Sequence, residues 1–592
     1  MEAAPPVDRR VLLTSAIGML LGAAAGIVAE GLTRLIFLVT NLSFHSRWSF
    51  DPATPAGNHL GLWVVLPPMI GGLVVGMMAR FGSAAIRGHG IPEAMEQILT
   101  NRSRIPPRLT VLKPLSAAIA IGSGGPFGAE GPIIATGGAV GSFIGQVIRV
   151  TTVERKILLA AGAAGGMAAT FGTPVAAVLL AIELLLFEFR ARSIIPVALA
   201  AAVATAVRVA FQGSAAPVFP MPVVAQPGGT AIAVYIALGA AMGLVGVVVT
   251  RAVFAVEDAF ARLPLHWMWW PVIGGAGVGL IGLIEPATLG VGYDNIVRIL
   301  QGALSWKALI LLATLKFASW SIALGSGTSG GTLAPLFTVG GALGAAGGVA
   351  LAVLVPQAGV DPRLAGLVGM AALFTGASHS MLAWVIFAFE TTRQPVGLLP
   401  LLGGCAAAYL LSMLNMRYSI MTEKIVRRGI PVARGYEVDY LRQQLVRDWA
   451  SSPVVALGRD DLIDAVRSRL KDDPALTHQG FPVVTAERRL IGVVTRRDLF
   501  GDSLTARIVG DVVTRAPVVA YSHWSLREAA DVMVRHHVGR LPVVERDRPE
   551  IVVGVLTRSD LLRAHGPRLT ELHHREEPWT DTRTWPHGPL PA

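Results

Sequence analysis

A glycine-rich pattern that occurs twice constrains this chain more than any other feature. It reads GAEGPIIATGGAVG from Gly128 and GTLAPLFTVGGALG from Gly331, which lies 203 positions later. Each copy places a glycine-rich turn before a proline, Pro132 or Pro335, and proline favours the first turn of a helix. Both copies therefore predict helix N-termini, where uncovered backbone N–H groups and the helix dipole favour an anion.

Hydrophobic residues make up 53% of the 592 residues, and most of the charged residues follow position 417. Apolar runs of about 20 residues, long enough to cross a bilayer, recur between Arg10 and Arg417. These runs predict an α-helical membrane domain over residues 1–428, with halves at about 10–212 and 230–428. Repeated halves that contain broken helices are typical of transporters.

Several apolar segments, including Leu109 to Gly122 and Pro174 to Phe187, are too short to span a membrane. We expect them to be half-helices that end inside the bilayer and are covered by protein or by a water-filled cavity. The long apolar run after Arg10 predicts a first membrane helix with a cytoplasmic N-terminus, because it exceeds the length of a cleaved signal core.

Charge and cysteine content argue against several other functions. The net charge is +11, but the basic residues are scattered, so we expect no nucleic-acid binding. The single cysteine, Cys405, supports neither a disulfide framework nor a thiolate metal site. The apolar block has no paired metal ligands and no nucleophile turn, which predicts a protein that is not an enzyme and has no metal site.

A second repeat follows a polar linker at 429–446. GVVTRRDLF from Gly492 matches GVLTRSDLL from Gly554, and two shorter segments match in the same order. Each copy reads as strand, helix, strand, strand, helix. The repeat resembles a tandem pair of cystathionine-β-synthase (CBS) modules.

The resemblance places these α/β modules at about 447–503 and 506–566. The remaining tail, 567–592, is rich in Trp, Pro, Thr and acidic residues without a period, and we predict that it is disordered.

Four elements of the membrane block resemble the chloride-site elements of the CLC chloride channels and transporters. They are GHGIPE from Gly88, GAEGP from Gly128, GTLAP from Gly331 and the later Tyr418. The resemblance implies a homodimer in which each subunit has its own pore. It also implies an inverted repeat with broken helices, followed by a cytoplasmic CBS pair, in a plasma or inner membrane.

The resemblance implies that Glu130 is a gating glutamate whose carboxylate imitates an anion until it is protonated or displaced. A dehydrated chloride needs neutral donors, because a full buried positive charge would hold it too tightly. The expected donors include the backbone N–H groups of Thr332 and Leu333. The full set of implied chloride-binding residues is His89, Gly90, Ile91, Thr332, Leu333 and Tyr418.

Two residues depart from the family pattern. His89 stands where most members have Ser; neutral imidazole can still donate one hydrogen bond, but a packing role remains open. Leu184 stands where proton-exchanging members carry a glutamate. This replacement favours a passive channel over H⁺/Cl⁻ exchange, although a water wire or Glu183 could carry protons instead. We expect Glu183 and Glu390 to cap or pair within the helix bundle.

In the CBS pair, Thr495 with Asp498 and Thr557 with Asp560 match positions that hold an adenosine nucleotide. The resemblance therefore implies a site for ATP or AMP, with a platform for dimerisation as the alternative. Chloride, protons and membrane lipid are the other expected partners, and no cofactor is required. A cation transporter with CBS modules is a remote alternative, since it would need clustered membrane carboxylates.

Overall fold

The computed structural model divides into two compact units, Met1–Tyr436 and Glu437–Ala592. Most of the predicted linker at 429–446 and all of the predicted tail at 567–592 lie outside the residues that it describes. The described residues are 9–148, 150–428, 430, 441, 444–473, 476, 478–501 and 506–566.

The described part of the first half of the membrane unit folds into eight α-helices. A π-helical turn, Met78–Gly82, follows the second helix, and another, Ala181–Leu186, follows the seventh. The α-helices are α1 Arg9–His45, α2 Leu66–Met77, α3 Ile91–Thr100, α4 Leu109–Gly122, α5 Glu130–Val147, α6 Thr152–Phe171, α7 Pro174–Leu180 and α8 Ala191–Gln212.

The second half repeats this order of long and short helices and then adds one more. No helix lies between Gln212 and Gly229, where the two predicted halves meet. The helices are α9 Gly229–Ala261, α10 Trp270–Ile284, α11 Tyr293–Leu300, α12 Trp306–Gly325, α13 Leu333–Leu354, α14 Pro362–Ser378, α15 Leu382–Thr392, α16 Leu398–Asn415 and α17 Glu423–Arg427.

The two halves contact each other reciprocally, as a twofold relation requires. A methyl group placed on Gly72 of α2 would lie 2.2 Å from the carbonyl oxygen of Pro271 in α10. A methyl group placed on Gly275 would lie 2.3 Å from the carbonyl oxygen of Pro68. Gly72 and Gly275 are 203 positions apart, as are Pro68 and Pro271, so each half offers the same helix surface to the other. The repeat predicted from the sequence is therefore a repeat of structure.

Glycine allows close helix packing inside each half. Gly137 of α5 and Gly162 of α6 face each other so closely that an added methyl group on either would lie within 2.2 Å of the other's carbonyl oxygen. Gly340 of α13 and Gly369 of α14 form the equivalent contact in the second half. Small residues are the usual means by which membrane helices approach each other.

Eight helices among the described residues are long and apolar enough to cross a membrane. Three further apolar helices are shorter, namely Leu109–Gly122, Pro174–Leu186 and Leu382–Thr392. The prediction of short helices within the bundle is confirmed.

The amphipathic stretch from Tyr418 to Arg428 predicts one last helix, and this prediction was wrong. In the structure only α17 is helical, and a turn precedes it in which the Ser419 backbone N–H donates to the Thr422 side-chain oxygen at 3.0 Å. Ser and Thr side chains that bond nearby backbone groups compete with helix formation. Tyr418 therefore lies before the helix rather than on it.

In the part of the second unit that the structure describes, a short helix, α18 (Val446–Trp449), precedes two copies of the predicted order of strand, helix, strand, strand, helix. In each sheet the first pair of strands is parallel and the second is antiparallel. The elements are β1 Leu457–Gly458, α19 Ile463–Asp472, β2 Gly480–Val484, β3 Leu490–Thr495 and α20 Arg496–Leu499, then β4 Ala520–Tyr521, α21 Leu526–Arg535, β5 Arg540–Glu545, β6 Arg548–Thr557 and α22 Arg558–Arg563.

Candidate functional site

The carboxylate of Glu130 lies against the N-terminus of a helix from the other half. Its Oε1 atom accepts hydrogen bonds from the backbone N–H groups of Leu333, at 2.9 Å, and Ala334, at 3.0 Å. Its Oε2 atom accepts a hydrogen bond from the Tyr293 hydroxyl at 3.2 Å. The side chain is 1% exposed. A buried carboxylate thus occupies the place where the N-terminus of α13 favours an anion.

The amides that hold Glu130 overlap with the pair predicted to bind chloride. Thr332 and Leu333 are the predicted chloride donors, and Leu333 and Ala334 are the donors to Glu130, because α13 begins at Leu333 and Thr332 precedes it. The first backbone N–H groups of a helix have no partner within the helix. The N–H groups of Leu333 and Ala334 are therefore available, whereas the next residue, Pro335, has no N–H to offer.

Glycines bring the two repeated motifs into direct contact. The backbone N–H of Gly128 donates to the Gly331 carbonyl oxygen at 3.2 Å, and the Gly331 N–H donates to the Gly128 carbonyl oxygen at 2.9 Å. A methyl group on Gly331 would lie 2.6 Å from the Gly128 oxygen and 2.7 Å from Oε1 of Glu130. Any side chain at this position would therefore separate the motifs or displace the carboxylate.

The loop before α3 approaches the same place from another side. A methyl group on Gly131 would lie 2.2 Å from the His89 carbonyl oxygen, so this loop packs against the start of α5. Gly90 has a φ of 99°, which favours glycine, and its N–H donates to the Glu93 carboxylate at 2.6 Å. The next residue, Ile91, is buried at the start of α3.

His89 is 5% exposed, and its Nδ1 atom is buried without a hydrogen-bond partner among the described residues. It lines a cavity of about 360 Å³ together with Glu93, Lys113, Lys424 and other residues. Most buried polar atoms have a hydrogen-bond partner, so this nitrogen is an exception among the described residues. Tyr418 is half-buried, and the described residues that line this cavity include Ile420 but not Tyr418.

Two buried lysines, which the sequence analysis did not single out, hold the loops at the site. The Lys113 ammonium donates to the carbonyl oxygens of Ile86, at 2.7 Å, and Gly88, at 2.9 Å. Its counterpart Lys316 donates to Thr288 and Gly290 carbonyl oxygens, both at 2.9 Å. The lysines are 203 positions apart, so the repeat offset itself was the signal for this pair.

Leu184 and its neighbouring glutamate lie away from these motifs in sequence, on the π-helical turn after α7. Leu184 is 4% exposed. The Glu183 carboxylate accepts hydrogen bonds from the backbone N–H of Leu382, at 3.1 Å, and from the Ser380 hydroxyl.

Glu390 makes the reciprocal contact with the start of α7. Its carboxylate accepts hydrogen bonds from the backbone N–H groups of Val175, at 3.1 Å, and Ala176, at 2.9 Å. Each glutamate therefore caps a helix from the other half, and the prediction that Glu183 and Glu390 are capping residues is confirmed.

The four predicted nucleotide positions form two equivalent helix caps in the second unit. The Thr495 hydroxyl and backbone N–H both donate to Oδ2 of Asp498, at 2.7 and 2.8 Å. Thr557 donates to Oδ2 of Asp560 at the same two distances. Each threonine therefore begins a helix, α20 or α22, and holds its aspartate in place.

Comparison with known proteins identifies the first unit. The family model described as "Voltage gated chloride channel" matches residues 70–413, which is more than half of the chain. The chain belongs to the CLC family. The "CBS domain" model matches residues 446–503 and 509–566, so the resemblance to a CBS pair is confirmed as well.

Two CLC relatives are similar in sequence to different shares of this chain. The chloride channel protein CLC-f of Arabidopsis thaliana is 27% identical over 95% of this chain and 70% of its own length. The H(+)/Cl(-) exchange transporter ClcA of Vibrio parahaemolyticus is 31% identical over 60% of this chain and 78% of its own length.

Two solved structures support the fold of this CLC protein. A slow cyanobacterial Cl⁻/H⁺ antiporter covers 72% of this chain and 99% of its own, with 23% identity and a TM-score of 0.64. A eukaryotic CLC transporter covers 93% of this chain and 98% of its own, with 20% identity and a TM-score of 0.57. The predicted fold, a helical CLC membrane domain followed by a CBS pair, is confirmed. Membership of the family assigns chloride transport to this multi-pass membrane protein.

Proposed function

We propose that Glu130 gates chloride transport by occupying the place of an anion at the N-terminus of α13. The observation that carries this proposal is the pair of hydrogen bonds from Leu333 and Ala334 to a single carboxylate oxygen. A chloride ion would need the same N–H donors, so the carboxylate and the ion exclude each other. Protonation removes the negative charge and weakens these bonds, which opens the pathway in acid.

Competition between chloride and the carboxylate provides the test. Chloride flux into liposomes would be measured against pH at low and at high chloride concentration. Because chloride displaces Glu130 from the amides of Leu333 and Ala334, high chloride should move half-activation toward neutral pH. A pH profile that does not change with chloride would contradict this gating mechanism.

We also propose that conduction is passive, as in a channel. Exchange requires protons to reach Glu130 from the side opposite to its gate, through a titratable group or a chain of water. Leu184 cannot carry a proton, and Glu183 accepts hydrogen bonds at the start of α15. This arrangement supports a structural role for the carboxylate beside Leu184 rather than a role in proton transfer.

H⁺/Cl⁻ exchange is the second candidate, and the comparisons favour it. ClcA is named an exchange transporter, and one of the similar structures is a Cl⁻/H⁺ antiporter. An exchanger would drive protons uphill when chloride flows down its gradient, whereas a channel would not. Chloride-driven proton movement in liposomes therefore separates the two.

His89 is the proposed donor to chloride on the side of the cavity that it lines. The unpartnered Nδ1 atom supports this role, because a neutral imidazole with a proton on that atom would supply one neutral donor. Gly90, Ile91, Thr332 and Tyr418 remain predicted members of the chloride pathway.

For the second unit we propose that the CBS pair binds an adenosine nucleotide and faces the cytoplasm. Asp498 and Asp560 lie at the starts of helices, where a carboxylate can accept ribose hydroxyls and helix N–H groups can meet phosphate. The family resemblance supports a homodimer with one pore in each subunit. Analytical ultracentrifugation of the detergent-solubilised chain should give a mass of two subunits, and a monomer would contradict the dimer.

A further inference from the structure

Tyr293 makes a contact with the gate that no motif predicted. It is the first residue of α11, and its hydroxyl donates to Oε2 of Glu130 at 3.2 Å. The other oxygen, Oε1, accepts the two backbone N–H groups of α13. The two oxygens therefore have different donors, and one of these donors comes from a side chain that can be changed without altering the backbone.

Aromatic packing fixes the position of this hydroxyl. The Tyr293 ring lies edge-on to Phe171, with centroids 5.6 Å apart, and to Phe219, with centroids 5.8 Å apart. Phe171 ends α6, and Phe219 lies in the segment between the two halves. Such edge-on pairs are favourable beyond the burial of their surface. Two separate parts of the membrane unit thus hold the tyrosine beside the carboxylate.

The tyrosine also lies between the gate and a second cavity. This cavity has a volume of about 400 Å³, and its lining includes Ala129, Thr170, Arg208 and Tyr293. Nε of Arg208 is buried and has no hydrogen-bond partner among the described residues. Tyr293 lines this cavity, whereas Glu130 does not.

We propose that Tyr293 is a positioning residue that holds Glu130 in the closed state and sets the pH at which the gate opens. The inference rests on the proposed gating by Glu130. A hydroxyl that donates to a carboxylate stabilises its ionised form, because protonation removes the charge that strengthens the bond. Loss of the hydroxyl would therefore make protonation and departure of Glu130 easier.

Other charged groups near the gate are unchanged by a substitution at Tyr293. Lys316 of α12 interacts electrostatically with Glu130 and is held by two carbonyl oxygens. Arg208 of α8 interacts with Tyr293. Since both remain in a Tyr293→Phe variant, a changed pH response would report the missing hydroxyl.

The experiment measures chloride flux against pH in liposomes that contain the full chain. Tyr293→Phe keeps the ring and removes the hydroxyl. A single bond to a charged group changes an equilibrium by about tenfold or more, so half-activation should move about one pH unit toward neutrality. The maximal flux in acid should stay the same. Tyr235→Phe is the matched control. The Tyr235 hydroxyl accepts a hydrogen bond from the Asp361 backbone N–H at 2.8 Å, and neither residue belongs to the gate motifs.

Variants of Glu130 separate failure of this inference from failure of the proposed gate. If Glu130→Gln removes acid activation but Tyr293→Phe leaves the wild-type profile, the gate stands and the role of Tyr293 is refuted. If Tyr293→Phe shifts the profile even in the Glu130→Gln background, the hydroxyl acts elsewhere and the inference fails. If Glu130→Gln keeps the wild-type profile, both proposals are overturned. A shift that requires Glu130 and is absent in Tyr235→Phe supports the inference.

Discussion

Replacement of Glu130 by glutamine tests the gate with the smallest change in shape. Glutamine is nearly isosteric but neutral, so three hydrogen bonds to a carboxylate become bonds to an amide. Bonds to charged groups contribute about 1.5–3 kcal/mol and neutral ones about 0.5–1.5 kcal/mol. The closed state should therefore lose roughly 3–4 kcal/mol in total, at about 1 kcal/mol or slightly more for each bond.

This loss corresponds to a change of about 100- to 1,000-fold in the ratio of closed to open gates. A gate that is open about 1% of the time at neutral pH would become open about 60–90% of the time. Chloride flux from liposomes at pH 7 should rise accordingly, and most acid activation should disappear.

Glu390→Gln is a matched control for this test. It changes another glutamate that caps a helix N-terminus, through Val175 and Ala176. We expect it to leave the pH profile of chloride flux unchanged. If Glu130→Gln kept the wild-type profile, the carboxylate at α13 would not be the gate.

Three further predictions concern other parts of the chain. Burial lowers the pKa of His89 to about 4, so His89→Ser should preserve chloride flux and change its dependence on internal pH only near pH 4; an unchanged profile and anion preference would favour packing. Gly331→Ala should destabilise the solubilised protein by about 1–3 kcal/mol in thermal unfolding, whereas Gly341→Ala, whose added methyl group meets nothing closer than 3.6 Å, should change stability by less than about 1 kcal/mol. ATP or AMP should alter chloride flux. In Asp560→Ala the nucleotide concentration that gives a half-maximal effect should rise by about tenfold or more, because bonds to a charged group are lost. An identical response in this variant would exclude Asp560 from the site.

The sequence predicted those features that depend on local patterns. Helix starts at Pro132 and Pro335, the short helix Leu109–Gly122 and the order of elements in both CBS modules all follow from spacing along the chain. Glu130 stood out because it was the one carboxylate within a repeated glycine motif. The reciprocal capping by Glu183 and Glu390 was expected in kind, although only the structure shows which helices they cap.

Other features depend on contacts between distant residues, which local patterns do not reveal. Tyr293 meets Glu130 across 163 positions of sequence, and no motif surrounds it. The helices α3 and α11 are short and amphipathic, so they do not stand out as apolar runs in the sequence.

Passive conduction of chloride is tested most directly by the reversal potential of the chloride current under a proton gradient. The wild-type chain would be reconstituted in liposomes with equal salt gradients and with the pH either matched or different across the membrane. With Leu184 in place of a titratable group, we predict a reversal potential that follows the chloride gradient alone. A reversal potential that shifts with the proton gradient, together with uphill proton movement driven by chloride, would contradict passive conduction and establish exchange.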